Sequence, residues 1–222
     1  MRKLTMATAL LVLGVFVSGA AGGPKPKPPK PAHPLSKHGL CQGLAVTIQG
    51  TQGADVINGT AGNDVIAAGA GADQVWGHGG DDVVCGGPGN DTLQGGDGND
   101  KLAGQQGKDL MDGGVLGCCG PGNGGNDELW GGQGADVLHA SDFGSGTLHG
   151  QQGADELHGW GGNDVLSGGN GADRLESFTG NDSVAGGNGN DTLDGGAGTD
   201  SLDGGRGTDA CANGETNTGC EP

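Results

Sequence analysis

Sixteen aspartates recur at a nine-residue interval that is broken only twice: Asp55, Asp64, Asp73, Asp82, Asp91, Asp100, Asp109, Asp127, Asp136, Asp155, Asp164, Asp173, Asp182, Asp191, Asp200 and Asp209. Each follows a Gly by two residues, and in fifteen of the sixteen an aliphatic residue or Met comes two residues later. Carboxylates in such number could mimic the acid and base of a hydrolase. Their strict period points instead to metal ligands, because hard cations are held by several carboxylate and carbonyl oxygens at once.

The elements that must position these residues follow from the same period. Aligned on Asp, residues 50–212 divide into eighteen rows such as GTQGADVIN from Gly50, GGPGNDTLQ from Gly86 and GGNGNDTLD from Gly186. The first six residues of a row read as a turn. Gly accepts the left-handed conformations a tight turn needs and lets carbonyls approach an ion closely. The last three read as a short strand with its middle side chain inward, and pairs such as Val56-Ile57 and Val83-Val84 have the β-branched character of strands. One inward residue in nine cannot form a core alone, but stacked rows share a ladder and an apolar seam. The expected fold is therefore all-β: a flattened parallel coil with two rows per coil and nine coils.

In such a roll the turn of one row lies over the turn two rows later, so Asp55 lies over Asp73 and Asp64 over Asp82. Two carboxylates ~4 Å apart repel by about 4 kcal/mol at an effective dielectric near 20. A divalent cation between turns reverses the sign. Calcium suits the position best, since it takes six to eight oxygens in flexible geometry, whereas magnesium demands a smaller octahedron and keeps its waters.

The rows resemble the GGxGxDxUx nonapeptide of the RTX, or haemolysin-type calcium-binding, repeat family. The resemblance covers residues 50–212, about three quarters of the chain. It implies a calcium-stabilised parallel β-roll, a right-handed β-helix-like solenoid of nonapeptide repeats, in which the sixteen aspartates above and the carbonyls of the Gly-rich turns bind multiple Ca2+ ions. The ends of the chain are similar to those of small secreted actinobacterial members. Gram-negative members export through a carboxy-terminal signal without a cleaved leader, and this chain departs from that pattern.

Two rows break the rule. In row eight, residues 113–121, Leu116 replaces the turn Gly, Cys118 the Asp and Gly120 the aliphatic residue. Row eleven, residues 140–149, has ten residues, with Gly146 in the Asp place. With the defects in opposite columns, six Asp pairs remain in each, giving up to about a dozen ion sites. Row eight reads as a worn-out repeat rather than a site for a different metal. Second-place substitutions (His78, Gln105, Asn123, Gln151, Trp160, Phe178) spare the Asp but weaken individual sites.

Six cysteines in an exported chain point to disulfides. The expected pairs are Cys41–Cys85, tying an amino-terminal cap at 41–49 to the early coils, and Cys211–Cys220, folding a tail at 213–222 over the open end. Capping matters because an open parallel stack exposes unpaired edges. Cys118 and Cys119 stay open between free thiols and an intermolecular link. His139 and His158 share the ninth place one coil apart, with His149 on the opposite side. They read as outward polar residues in preference to a zinc or nickel site. Trp76 and Trp130 read as packing on the outside of a strand.

Composition fits a chain held together by something other than a hydrophobic core. Of 222 residues, 55 are Gly and only 38 are Leu, Ile, Val or Phe; acids outnumber Lys and Arg by 27 to 10. That is too little apolar surface for an ordinary globular enzyme, and an acidic chain repels nucleic-acid phosphate. All acids lie at or after Asp55, and beyond residue 41 only Lys101, Lys108, Arg174 and Arg206 oppose them. Residues 1–20 read as a signal peptide: Arg2 and Lys3, an apolar run from Ala9 to Val17, then small residues at Ser18-Gly19-Ala20. The apolar run is about half the ~20 residues needed to span a bilayer, so no membrane span is expected after cleavage. Residues 21–40 are a Pro/Lys-rich linker. A spacer is the preferred reading, with contact to an anionic cell envelope through its lysines as the other. No catalytic constellation is present, so the chain is not expected to be an enzyme. The sequence points to a secreted, extracellular calcium-binding protein that folds on binding the ion, acting as a structural or surface-interaction module. A toxin or exoenzyme accessory module, or a cell-envelope adhesin, is the alternative.

Overall fold

The computed structural model describes residue 41 and residues 44–114, 125–142 and 144–221. The signal peptide, the linker, the Cys118-Cys119 pair, Asn123 and Pro222 lie outside these residues. Within them the chain is all strand and turn, and no described helix is long and apolar enough to cross a membrane.

Successive strands alternate between two parallel sheets, as a chain turning every nine residues requires. One sheet has ten strands, from Ile48–Gln49 through Val83–Pro88 and Lys101–Gln106 to Thr216–Thr218. The other has nine, from Val56–Asn58 through Leu110–Asp112 to Ala210–Ala212. The register is the repeat itself: Val83 pairs with Lys101, Val84 with Leu102 and Cys85 with Ala103. A two-stranded ladder, Thr179–Gly180 on Ala197–Gly198, stacks two of the turns. The result is a β-solenoid of about nine turns, the expected parallel β-roll. Many strands run six residues rather than three, as in Gln74–Gly79 and Ser201–Arg206, because the ladder continues past the inward residue into the glycines of the next turn.

The core is a single file of eighth-place side chains from the two sheets. Ile66, Leu102, Met111, Leu129, Leu148, Leu175 and Leu202 are fully buried. The seam frays at its ends, where Ile57 is 8% exposed and Ile48 and Cys211 are only partly buried. Cys41 is bonded to Cys85 across 44 residues and packs with Ala103 and Val83 in a small second cluster. Cys211 is bonded to Cys220. Both expected disulfides are present.

Row eight does not occupy a rung. Leu110–Asp112 pairs directly with Val137–His139, and Lys101–Gln106 with Glu128–Gln133, so each ladder steps by 27 residues where it elsewhere steps by 18. Gly113 takes the first place of the following turn, where a Cβ would meet Asp127 Oδ2 at 2.4 Å. Gly125 takes the fourth place, where a Cβ would meet Gly98 O at 1.6 Å. The extra nine residues are thus an insertion within one turn, not a worn-out repeat. A nine-residue insertion has the same length as a row, which is why counting could not tell them apart. Row eleven absorbs its tenth residue in the same way, within its turn: Thr147–Gln152 stays in register with Glu128–Gln133.

Candidate metal centre

Each repeat aspartate sits at the end of its turn, immediately before its strand, and the ladder fixes both its backbone and its side chain. Its carbonyl accepts the N–H of the residue after the next Asp in the column, as in Thr92 N to Asp73 O at 2.8 Å. Its N–H donates to Oδ1 of that next Asp. Asp55, Asp73, Asp91, Asp109, Asp136, Asp155, Asp173, Asp191 and Asp209 are joined in this way at 2.8–2.9 Å without interruption. In the other column Asp64, Asp82, Asp100 and Asp127 are joined, as are Asp164, Asp182 and Asp200. Gly146 stands between the two groups, and its N–H donates to Asp164 Oδ1 at 2.6 Å.

This arrangement corrects the count made from sequence. Because the insertion is not a rung, rows after it change sides relative to rows before it. The insertion and the Gly146 row therefore lie in adjacent turns of one column, and the other column is unbroken. Eight Asp–Asp contacts stand in the intact column and five in the interrupted one, in place of six and six.

The second carboxylate oxygen is the informative one. Oδ2 of every repeat Asp from Asp73 onward is buried and has no hydrogen-bond partner. Buried polar atoms in folded proteins are almost always paired, so a continuous row of unpaired ones requires an explanation. Asp55 and Asp64 differ. Oδ2 of Asp55 accepts the N–H and hydroxyl of Thr51 at 2.6 and 2.8 Å, and Oδ2 of Asp64 those of Thr60 at 2.7 and 2.9 Å.

Burial pushes Asp100, Asp109, Asp155 and Asp164 up to about 7, and Asp91 and Asp173 up to about 6. The N–H bond received from the preceding coil opposes this rise, and neighbouring carboxylates add to it. Asp73, Asp82, Asp127, Asp136, Asp182 and Asp191 are raised by the same loss of water. Without a counter-charge, the ionised column is disfavoured at the positions the repeat insists on filling with Asp.

The glycines make room for oxygen. A Cβ on Gly86 would stand 2.3 Å from Asp91 Oδ2, so only Gly admits the carboxylate beside the turn. Gly89, at φ 150°, approaches the preceding turn so closely that a Cβ would stand 1.6 Å from Gly71 O. Among the described residues no three His, Cys, Asp or Glu side chains converge on one point. A cation between turns would therefore draw on two carboxylates and complete its shell from turn carbonyls, an all-oxygen set that suits a hard ion and not zinc. The unpaired Oδ2 atoms and the glycine-cleared space both fit calcium.

The described second-place residues share one backbone conformation. His78, Gln105, Gln151, Trp160 and Phe178 all have φ between 65° and 83°, the left-handed region Gly prefers. His139 and His158 are cross-strand neighbours with ring centroids 4.9 Å apart. His158 Nε2 lies 3.1 Å from Glu156 Oε1, and Trp160 stacks on Phe178 at 4.6 Å. These are outward side chains packed on one another. Trp130 likewise stacks on His149 at 5.9 Å on the other sheet.

Two sets of side chains that hydrogen-bond along the columns escaped the sequence reading. The fifth place of the interrupted column forms its own ladder: Asn63, Asp81, Asn99, Asn126, Ser145, Asn163 and Asn181 each accept the N–H of the fifth-place residue in the next coil. Its signal was the recurrence of Asn before Asp. In the other column only Asn90 and Asn190 do this, because Ala fills most of those places. The second set, Glu215 and Glu221 in the tail, lies off the nine-residue period and left no periodic signal.

A family model described as the RTX calcium-binding nonapeptide repeat matches residues 49–84, 86–115, 122–143, 141–175 and 177–210. No individual curated protein matches the chain. The matched segments cover well over half of the sequence and coincide with the rungs and turns that carry the aspartate columns; the chain belongs to the RTX calcium-binding nonapeptide repeat family.

Proposed function

We propose that the protein is a secreted calcium-binding module whose roll closes when calcium enters its turns, and that it serves as a structural or surface-interaction element. The observation that carries this reading is the row of buried, unpartnered Oδ2 atoms from Asp73 to Asp209. The sixteen repeat aspartates are its metal ligands in this reading, with Asp55 and Asp64 partly satisfied by Thr51 and Thr60. Calcium supplies the positive charge that lets adjacent carboxylates stay ionised out of water. The chain's own residues do the rest: Oδ1 clamps the preceding coil, the glycines clear the space, and the eighth-place seam keeps the turns in register.

Two disulfides fit an oxidising compartment. Extracellular modules bind calcium with constants of ~10⁻⁴–10⁻³ M, so a chain that binds only when folded gains stability outside the cell and little inside it. The Pro/Lys linker at 21–40 gives the roll reach to an anionic envelope, and no catalytic role belongs to this reading. Circular dichroism of the mature chain at pH 7.5, with disulfides reduced, tests the coupling. Strand signal is expected in millimolar calcium and not in excess chelator. Equal strand content in both overturns the reading.

A further inference from the structure

Both aspartate columns run out before the chain does. The last repeat aspartates are Asp200 and Asp209, and the family match stops at residue 210. The residues beyond have no nonapeptide pattern, yet they form one more turn. Thr216–Thr218 pairs with the strand Ser201–Arg206 so that Thr216 stands opposite Ser201, which places Glu215 beside Asp200. Glu221 bridges to Ala210, beside Asp209. The bond between Cys211 and Cys220 holds this turn against the last rungs.

The two glutamates do what a following Asp does elsewhere. Glu215 Oε2 accepts the N–H of Asp200 and Glu221 Oε2 that of Asp209, both at 2.5 Å. Thr216 N, the residue after Glu215, donates to Asp200 O as in the repeats, and Glu215 N donates there as well; at the other column's end Glu221 N itself donates to Asp209 O. Asp200 and Asp209 are only 2% and 1% exposed, and Oδ2 of each is buried without a partner. The opposite end of the roll is closed with donors: Thr51 and Thr60 give N–H and hydroxyl hydrogens to Asp55 and Asp64. A neutral donor satisfies a carboxylate by itself. The glutamates bring no hydrogen to Oδ2 of Asp200 or Asp209, which stays buried and unpartnered at a turn with an added carboxylate, an arrangement that a shared cation completes.

We propose that Glu215 and Glu221 are calcium ligands that complete a terminal site at the end of each column, so that the tail is part of the metal-binding roll. This inference rests on the reading of the columns as calcium sites. It adds two ligands that lie outside the repeat and makes closure of the tail depend on the ion.

The test is the number of calcium ions bound by the mature, disulfide-bonded chain, measured by equilibrium dialysis for the wild type, Glu215→Gln, Glu221→Gln and the double variant. Gln keeps an oxygen to accept the Asp N–H and removes the charge. One ion fewer in each single variant and two fewer in the double are expected. An unchanged count in all three reduces the glutamates to hydrogen-bond caps and overturns the inference, while the columns stand. A wild type that binds no calcium overturns the column reading itself. Hydrogen exchange of residues 213–221 in the wild type, followed as calcium is added, reads the same point without substitution. Protection that rises with binding supports the proposal, and protection independent of calcium refutes it.

Discussion

Acidification of the calcium-free chain should fold it, and neutral pH should unfold it. Burial lifts Asp100, Asp109, Asp155 and Asp164 from 3.8 to about 7 in the roll. At ~1.4 kcal/mol per tenfold change in proton affinity, keeping one of these ionised above pH 7 costs the folded state about 4 kcal/mol. Four such groups act in the same direction, so together they oppose a sizeable share of the ~5–15 kcal/mol that holds a typical domain together. The sign follows from the direction of the shift. The folded state holds its protons to higher pH than the unfolded chain, so the roll's stability is intact below about pH 4 and lost as pH rises through about 7. In calcium-free buffer the chain, with its disulfides reduced, should show strand signal by circular dichroism near pH 4.5 and lose it by pH 8. Millimolar calcium at pH 8 should restore it. A chelated, reduced chain as strand-rich at pH 8 as at pH 4.5 would refute the argument that buried carboxylates oppose the fold until they are neutralised.

Three further perturbations separate the forces. Asp109→Asn retains an acceptor for the N–H of Asp91 but removes a charge whose Oδ2 has no partner, so the bound-ion count should fall, whereas Asp55→Asn, beside the Thr51 donors, should change it little; equal losses in the two variants would count against the distinction. Leu102→Ala opens the one-residue-wide seam at a fully buried position and should cost 2–5 kcal/mol in saturating calcium, roughly what a core truncation costs elsewhere; urea unfolding with a change under about 1 kcal/mol would show that the seam contributes little. Replacing Cys41 and Cys85 together by Ser frees a loop spanning 44 residues and should lower stability by about 4 kcal/mol on chain-entropy grounds, a shift readable in the urea midpoint.

The asymmetry of the two columns bears on how the roll assembles. The interrupted column carries a fifth-place ladder from Asn63 to Asn181 that needs no ion. The intact column has more aspartate contacts and almost no such ladder. The edge with fewer carboxylate pairs thus has the more continuous fifth-place hydrogen bonding, and the edge without it carries more of the unpartnered Oδ2 atoms.

Periodicity made most of the fold legible in the sequence. A repeat of nine with Gly, Asp and an aliphatic residue in fixed places determines the turn, the strand, the inward residue and the parallel stacking, because each row has only one way to bury its single apolar side chain against its neighbours. It also located the aspartate columns, and the need to cap the open ends located the paired cysteines. What it left undetermined is which rows are rungs. Residues 113–121 have the length of a row, yet the nine extra residues fall between Gly113 and Gly125 within one turn, and only the pairing of Leu110–Asp112 with Val137–His139 reveals this. Length alone carries no hydrogen-bonding information, so the parity of every later row, and with it the membership of each column, was decided by tertiary structure. The same holds for Thr51, Thr60, Glu215 and Glu221. Their roles arise from contacts across coils or at the ends of the stack, where periodicity stops and geometry alone decides which oxygen meets which hydrogen.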